Sequence, residues 1–395
     1  MTNPSFRLAI ITTHPIQYNA PWFRLLALQR RVEPMVFYTW SQSSEGAKYD
    51  PDFGKTIRWD IPLLECYNHR FVKNTSRTPG SHHFRGIANP GLVKEIAAWK
   101  PDAILVFGWK FQSHLQCLRY FHGKVPVLFR GDSTLLDESP GLRTTFRRIF
   151  LKWIYRHIDY ALYTGTNNRE YFSVHGLKKE QLIFAPHAID NERFGGDEAG
   201  YAAEALAWRR RLGIRDEDLV LLFAGKLESK KNPFFLLELA KAIDDPRLKF
   251  VLVGNGKLEE DLRSAAAADA RIILLDFQNQ QKMPVVYRMG DLFILPSGGP
   301  EETWGLGVNE AMACGRPVMV SGKVGCAIDL VPRGDNGIVF DIHNNKPCIE
   351  LLQSVLDGRS QLKKMGERSK EIIRNYSFGT IVDSIQAVME QITRK

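Results

Sequence analysis

The sequence predicts an α/β protein with two doubly wound domains, each a parallel sheet covered by helices. Short apolar runs rich in β-branched residues alternate with helical segments along most of the chain, and this alternation is typical of parallel sheets. A polar, glycine-containing stretch at 191–204 interrupts the alternation, which then restarts. With 395 residues, the chain is also long enough for two domains of common size. Two such domains imply a cleft between them.

The predicted strands form two groups, one on each side of the polar stretch. The N-terminal group comprises residues 8–12, 35–39, 103–107, 125–129 and 161–164, and the C-terminal group comprises residues 219–224, 249–254, 271–275, 292–296 and 317–321. A last amphipathic segment, residues 376–392, predicts one helix of about four and a half turns. We therefore expect an N-terminal domain at 1–195, a C-terminal domain at 205–375 and a terminal helix at 376–395.

Composition narrows the class of protein. Hydrophobic residues make up 44% and charged residues 25% of the chain, which is typical of a soluble globular protein rather than a disordered or fibrous one. The 5 cysteines include no C-x-x-C pair, so the sequence predicts neither a disulfide framework nor a zinc site. The sequence also shows no signal peptide and no run of 18 apolar residues. These features favour a cytoplasmic location.

The net charge of +9 is concentrated in the N-terminal half. Residues 1–180 hold 25 Lys and Arg against 14 Asp and Glu, whereas residues 181–395 hold 28 against 30. An excess of this kind attracts a phosphorylated acceptor, an anionic lipid surface or nucleic acid. Charge alone does not choose among these partners.

The strongest chemical signal lies at residues 296–318, PSGGPEETWGLGVNEAMACGRPV. Here Glu302 and Glu310 flank a glycine-containing turn, and NEAMA starts a short helix with Glu310 near its beginning. A helix N-terminus is a ready site for a diphosphate, so candidate donor contacts are Trp304, Gly305, Leu306 and Gly307. Carboxylates accept hydrogen bonds from sugar hydroxyls. The structural alternative is that both acids only favour the helix N-terminus through its dipole.

A second signal lies at residues 224–243, where a strand ends in Gly225 and the cations Lys226, Lys230 and Lys231 precede an apolar helix. Departure of a nucleoside diphosphate builds negative charge, which fixed ammonium groups stabilise without a metal. We favour Lys226 and Lys231 as catalytic cations, with the diphosphate as their partner. Solvated surface lysines are the alternative, above all for Lys230.

With these segments the chain resembles the retaining family 4 glycosyltransferases of the GT-B fold. The resemblance covers nearly all of residues 200–392 and includes the motifs GKLESKKN, LVGNGKLEEDL and YRMGDLFILPS, the paired-glutamate block, and VGCAIDLVPRGDNGIVF. It implies two Rossmann-like domains facing across a cleft, with the donor bound by the C-terminal domain, the acceptor by the N-terminal domain, and the last helix crossing back to the N-terminal domain.

The resemblance also implies roles for single residues. Lys226 and Lys231 would contact the donor diphosphate, Glu302 the transferred sugar and Glu310 the ribose, while the backbone near Phe277 would meet the base. Lys226 stands where the family has arginine, which keeps the charge but loses the bidentate fork. No metal and no other cofactor is implied.

The N-terminal half departs from the family's pattern. Where many members carry a P-x-x-G-G loop, this chain has THPIQYNAPWF, in which His14 is a candidate contact. After the fourth predicted strand, where a histidine is common in the family, it has FRGDS, which makes Arg130 and Asp132 candidates for acceptor or sugar contacts. Alternatively, Asp132 caps the following segment and Arg130 pairs with it.

Residues 142–160 place Arg and Lys among Phe, Ile and Trp at helical spacing. This pattern predicts a helix that packs on the sheet with a basic outer face, and the alternative is a helix that lies on a membrane surface. Together with the basic N-terminal half, it raises the hypothesis of a peripheral contact with an anionic membrane.

The sequence therefore predicts a metal-independent glycosyltransferase of the hexosyltransferase type in polysaccharide, glycolipid or other glycoconjugate biosynthesis. Its co-substrate would be a nucleoside-diphosphate sugar and its acceptor a carbohydrate, a lipid-linked molecule or a small molecule, with no nucleic acid as partner. The alternatives are a sugar-nucleotide epimerase of the same fold and a non-catalytic nucleotide-sugar-binding protein. A dehydrogenase is disfavoured because VGNGKLEE lacks the third glycine of G-x-G-x-x-G.

Overall fold

The computed structural model describes residues 6–40, 48–50 and 55–393, which divide into two compact units. The described residues of the first unit fall within Met1–Lys48, Ile61–His187 and Phe378–Lys395. Those of the second unit fall within Tyr49–Asp60 and Ala188–Ser377.

The elements follow one another as alternating strands and helices. In chain order the first are β1 (Phe6–Thr12), α1 (Ala20–Leu28), β2 (Val32–Tyr38), β3 (Lys48–Asp50), β4 (Lys55–Ile57), β5 (Asn68–Phe71), α2 (Leu92–Trp99), β6 (Ala103–Phe107), α3 (Gln112–Phe121), β7 (Val127–Arg130), α4 (Leu142–Tyr155), β8 (Tyr160–Tyr163), α5 (Thr166–Val174) and β9 (Leu182–Phe184). They continue with α6 (Asn191–Gly195), α7 (Glu198–Arg211), β10 (Leu219–Ala224), α8 (Phe235–Ala242), β11 (Leu248–Val253), α9 (Glu259–Ala266), β12 (Ile272–Leu275), α10 (Met283–Met289), β13 (Leu292–Leu295), α11 (Leu306–Ala313), β14 (Val318–Ser321), α12 (Ala327–Leu330), β15 (Gly337–Phe340), α13 (Lys346–Asp357), α14 (Ser360–Ile373) and α15 (Phe378–Thr393).

Each unit contains one parallel sheet, which confirms the predicted fold class. The first sheet has the order β5-β2-β1-β6-β7-β8-β9 and the second the order β12-β11-β10-β13-β14-β15. The central strands are buried on both faces, so they are continuous apolar runs; all six residues of β10 are buried. In such sheets ligands bind beyond the carboxyl ends of the strands, and the candidate residues follow those ends.

Three strands that the pattern did not predict lie at the edges of the two sheets. β5 is polar in sequence, NHRF, and β9 has only three residues. β15 begins at Gly337, where a Cβ atom would lie 1.8 Å from the Val318 carbonyl oxygen of the neighbouring strand. All three strands have at most four residues, and such short edge strands give a weaker sequence signal than the central strands do.

Helix α4 packs on the core of the first unit as predicted, but only through its C-terminal part. Its C-terminal part packs into the core of the first unit through Leu151, Ile154 and Tyr155. The residues from Leu142 to Phe150 are exposed, except for half-buried Thr144. The outer face of this first half carries apolar as well as basic side chains.

The last helix, α15, belongs to the first unit although it follows the second unit in the chain. The Ser384 hydroxyl donates a hydrogen bond of 2.6 Å to the Phe184 carbonyl, and the Gln386 amide donates one of 2.6 Å to the side chain of Gln29. Ile381, Val382, Ile385, Val388 and Met389 of this helix are buried.

Candidate functional site

In the second unit, Lys231 and Glu302 meet at the carboxyl ends of two neighbouring strands, β10 and β13. Lys231 ends a 3-10 turn, Ser229–Lys231, and its Nζ lies 2.7 Å from Glu302 Oε2. The two side chains are only 17% and 10% exposed. The Gly298 N–H also donates to the Lys230 carbonyl at 2.9 Å, so the two loops are joined by their backbones as well. The structure thus brings together the cation predicted to contact the diphosphate and the carboxylate predicted to contact the transferred sugar.

The Glu302 carboxylate is held in one orientation. The buried Ser297 hydroxyl donates to Oε2 at 3.2 Å, and the Glu302 carbonyl accepts the Gly325 N–H at 3.0 Å. Both side-chain bonds fall on Oε2, while Oε1 has no donor within the described residues. An oxygen placed in this way can accept a hydrogen bond from a sugar hydroxyl.

Helix α11 starts directly after this loop. Gly305 precedes its first residue, Leu306, with a φ of +96°, and a Cβ atom on Gly305 would lie 2.7 Å from Val324 Cγ1. Glycine therefore suits this position both by conformation and by space. No side chain caps the helix N-terminus, and the first N–H groups of a helix have no partner within the helix. The backbone N–H groups of Leu306 and Gly307 therefore remain candidate contacts for a diphosphate.

Glu310 lies farther along α11 than the sequence indicated. The helix begins at Leu306 and its first turn contains no acidic residue, so Glu310 is in the second turn and not near the beginning. A favourable effect of the helix dipole falls off within the first turn. The structural alternative for Glu310 therefore loses its basis.

Glu310 is 3% exposed, and its Oε2 accepts a hydrogen bond of 2.7 Å from the Tyr287 hydroxyl. Tyr287 belongs to α10 and is itself buried. Sequence analysis did not identify this partner, although Tyr287 opens one of the motifs that carry the family resemblance. The tyrosine orients the carboxylate that the sequence assigns to ribose.

The Trp304 indole is buried and makes its contacts within the protein. Its Nε1 donates to Asn309 Oδ1 at 2.8 Å, its ring lies 5.9 Å from that of Tyr376, and the residue is 4% exposed. Any contact of Trp304 with a donor would therefore come from its backbone.

Asn255 fixes the loop that carries Phe277. Its Oδ1 accepts the Phe277 N–H at 2.9 Å, and its Nδ2 donates to Glu259 Oε2 at 2.7 Å and to Asp276 Oδ1 at 3.2 Å. Its carbonyl also accepts the Leu227 N–H at 3.0 Å. Sequence reasoning did not assign Asn255 a role, although its position directly after a strand was a signal. Asn255 connects three loops at the carboxyl ends of the strands.

In the first unit, Arg130 is 5% exposed and donates to the carbonyls of Ala185 and Pro186 at 2.7 and 2.9 Å. Burial lowers the pKa of its guanidinium to about 10, an effect that the nearby Asp132 carboxylate opposes. These bonds hold the segment that ends in His187. The guanidinium therefore positions backbone here instead of projecting into solvent.

Asp132 Oδ2 lies 3.8 Å from His187 Nε2. Burial lowers the pKa of His187, and the nearby Asp132 carboxylate opposes this shift. Sequence analysis did not identify His187, which lies 55 residues from Asp132 in the chain. His14 lies elsewhere in this unit, with Nδ1 3.0 Å from the Thr13 hydroxyl and its ring edge-on to Trp40 at 5.8 Å.

The described residues contain neither a cluster of metal-binding side chains nor a membrane-spanning helix. Among residues 6–40, 48–50 and 55–393, no three His, Cys, Asp or Glu side chains are grouped as a metal site would require. No helix within the same ranges has the length and apolar character needed to cross a membrane.

The chain is similar in sequence to known glycosyltransferases. Residues 205–372 match the family described as glycosyl transferases group 1. The sulfoquinovosyl transferase of Arabidopsis thaliana is 24% identical over 320 residues, which cover 75% of this chain and 58% of that protein. A D-inositol 3-phosphate glycosyltransferase of Rhodococcus jostii is 29% identical over 213 residues, which cover 51% of this chain and 46% of that protein. The chain thus spans about half the length of these curated relatives.

Among solved structures, HepE of Anabaena in complex with UDP has a TM-score of 0.73 and 16% sequence identity, covering 98% of this chain and 100% of that chain. The same protein in complex with UDP-glucose has a TM-score of 0.69 and 16% identity, covering 98% and 99%. At this level of identity, the likeness shows a shared fold.

Proposed function

Because this chain belongs to the group 1 glycosyltransferases of the GT-B fold, we propose that it transfers a sugar from a nucleoside-diphosphate sugar to an acceptor hydroxyl with retention of anomeric configuration. The observation that carries this proposal is the Lys231–Glu302 pair next to the N-terminus of α11. A cation, a sugar-binding carboxylate and a diphosphate-binding helix N-terminus follow the ends of two adjacent strands. These are the groups that a nucleotide-sugar donor needs.

In the proposed complex, the donor extends along the strand ends of the second unit. Glu302 accepts hydrogen bonds from the transferred sugar, Glu310 accepts them from the ribose, and the backbone beside Phe277 contacts the base. The diphosphate lies against α11, near Lys226, Lys231 and the backbone from Trp304 to Gly307, and Gly225 permits close approach. The burial of Glu310 and its bond to Tyr287 support the ribose assignment, since a fixed carboxylate binds two hydroxyls without further ordering.

The reaction breaks the bond between the anomeric carbon and the leaving phosphate oxygen and forms a bond to the acceptor oxygen. The leaving phosphate accepts the proton of the acceptor hydroxyl on the same face of the sugar, so the anomeric configuration is retained. Lys226 and Lys231 stabilise the negative charge that grows on the diphosphate. Since these cations are fixed in the protein, we expect transfer of a hexose to proceed without a divalent metal.

We assign the acceptor to the first unit, where His14, Asp132 and the newly identified His187 are candidate contacts. The Arg130 bonds to the carbonyls of Ala185 and Pro186 support a positioning role for this residue, because they fix the backbone next to His187. The acceptor is a carbohydrate, a lipid-linked molecule or a small molecule in glycoconjugate synthesis.

A panel of nucleotide sugars tests the proposal. Purified protein is heated with UDP-, GDP-, ADP- and dTDP-sugars, beginning with UDP-glucose because the similar fold of HepE binds it. A donor that binds the folded state raises the melting temperature. We then expect donor turnover that depends on an acceptor, survives EDTA and yields a product of retained configuration by NMR.

The other outcomes distinguish the alternatives. Turnover without any acceptor would identify an epimerase, and stabilisation without turnover across a broad acceptor panel would identify a nucleotide-sugar-binding protein. Complete loss of turnover on adding EDTA would contradict metal-free stabilisation of the leaving group. If no nucleotide sugar stabilises the fold, the donor assignment is wrong.

A further inference from the structure

The first half of α4 presents apolar side chains to solvent. Leu142, Phe146, Ile149 and Phe150 are 80, 70, 62 and 45% exposed, and we call them the α4 stripe. Their spacing along the helix places them on one face. Among the described residues, these nine consecutive positions hold four of the eleven exposed large hydrophobic side chains. The stripe is therefore a concentrated apolar surface and not a scatter of single residues.

The α4 stripe is held in place by the rest of the helix. Leu151, Ile154 and Tyr155 are buried in the core of the first unit. The Phe150 ring stacks on Trp153 at 5.8 Å and lies edge-on to Trp109 at 5.6 Å. A packed C-terminal half thus fixes an N-terminal half that is largely exposed.

Cations flank the stripe. Arg143, Arg147, Arg148 and Lys152 are all exposed, and α4 contains no Asp or Glu. In the described part of the chain, the one carboxylate that pairs with these cations is Glu138, at 3.2 Å from Arg148. Arginine side chains beside an apolar face can extend to phosphate groups while their stems stay in apolar surroundings.

We infer that the α4 stripe, together with Arg143 and Arg147, docks on an anionic membrane surface, with the helix lying in the plane of the lipid headgroups. Apolar side chains at helical spacing enter the boundary of the acyl chains, and the flanking arginines bind lipid phosphates. This arrangement disfavours a second copy of the chain as occupant, because two such helices packed face to face would bring the same cations together.

Vesicle binding by the full chain tests the inference. We expect the protein to co-sediment with vesicles of equal phosphatidylcholine and phosphatidylglycerol, and much less with vesicles of phosphatidylcholine alone. Binding should weaken as salt rises, since exposed charges are screened over about 8 Å at physiological ionic strength. The double variant Arg143→Gln, Arg147→Gln should have a membrane partition coefficient roughly thirty-fold lower than that of the wild type. In the double variant Phe146→Ser, Ile149→Ser, the partition coefficient should fall at least about tenfold.

Matched variants control for charge and for loss of an exposed apolar group. The double variant Lys178→Gln, Lys179→Gln is the charge control, since it removes two positive charges from another exposed part of the first unit. Leu28→Ser is the apolar control, since it removes a leucine that is 61% exposed. Both should leave binding unchanged. All of these variants alter surface positions, so their melting temperatures should match that of the wild type.

Three results would overturn the inference. One is wild-type protein that ignores phosphatidylglycerol vesicles, and another is equal loss of binding in the α4 and control variants. The third concerns sedimentation velocity without lipid. If the wild type is a dimer there and the Phe146→Ser, Ile149→Ser variant is a monomer, the α4 stripe is a self-association surface instead. These assays contain no donor or acceptor, so their outcome is independent of the proposed transferase activity.

Discussion

Lys231 Nζ lies 2.7 Å from Glu302 Oε2, although the two residues are 71 positions apart in the chain. Sequence reasoning gave Lys231 a diphosphate as its partner, and in the folded chain the cation pairs with a carboxylate of the protein. The pair neutralises two largely buried charges, and it keeps the Lys231 ammonium next to the carboxylate that we propose binds the transferred sugar. Lys231 therefore has a structural role in addition to the one proposed in catalysis.

Replacing Lys231→Ala should lower the free energy of unfolding by roughly 2–4 kcal/mol, because it leaves the Glu302 carboxylate buried without its cation. Chemical denaturation measures this loss. Lys230→Ala is the matched control, since Lys230 is 36% exposed and lies 3.6 Å from Glu228; its cost should be below about 1 kcal/mol. Donor turnover should fall in the Lys231 variant and persist in the Lys230 variant. If the Lys231 and Lys230 variants had the same free energy of unfolding, the Lys231–Glu302 ion pair would not contribute to stability.

Replacing Glu310→Gln should weaken donor binding about ten- to a hundredfold, because a neutral amide accepts a weaker hydrogen bond from ribose hydroxyls than a carboxylate does. Calorimetry with the nucleotide that most stabilises the wild type measures this change. Tyr287→Phe removes the hydrogen bond that orients the carboxylate, and we expect a loss of about fivefold. Unchanged affinity in a folded Glu310 variant would remove this residue from the site.

Replacing Gly305→Ala should destabilise the second unit by roughly 2–5 kcal/mol, the sum of backbone strain in the left-handed region and overpacking. The added Cβ would lie 2.7 Å from Val324 Cγ1 and 2.9 Å from Leu295 Cδ2. Gly213→Ala in the same unit isolates the backbone cost, since Gly213 has a φ of +74° and an added Cβ atom would meet no other described residue outside its chain neighbours within 4 Å. In urea denaturation, Gly305→Ala should therefore have a lower free energy of unfolding than Gly213→Ala. The reverse order would exclude the steric explanation.

Stability should fall in acid because of His114, a fully buried residue of α3. Burial lowers the pKa of His114 from 6.5 to about 4, an effect opposed by the hydrogen bond to the Phe107 carbonyl at 2.8 Å. Since the unfolded chain binds a proton at higher pH than the folded chain does, this contribution is full above pH 6.5 and is lost as the pH falls towards about 4.

The expected loss is about 3 kcal/mol over that interval. Melting temperatures measured across the interval should show a shallower pH dependence in His114→Gln than in the wild type. His343→Gln, which changes an exposed histidine, should keep the wild-type dependence. A wild-type slope in the His114 variant would assign the acid sensitivity to other groups.

The central strands could be predicted closely from the sequence. Residues 103–107 and 219–224 were predicted as strands, and the structure has β6 at Ala103–Phe107 and β10 at Leu219–Ala224. Both strands are covered on both faces, so every position favours an apolar side chain and the run is continuous. The edge strand β5 is half solvated, and its sequence, NHRF, resembles that of a loop.

The sequence by itself determined the two-sheet α/β class, the paired-glutamate segment and its resemblance to group 1 glycosyltransferases, because apolar period and motif spacing are local properties of the chain. Only the tertiary structure decided that Lys231 pairs with Glu302, that Tyr287 orients Glu310, that Arg130 binds backbone carbonyls, and that half of α4 is exposed. Each of these depends on which distant segments meet when the strands align, and hydrogen bonds and burial across such separations leave no periodic signal in the residues themselves.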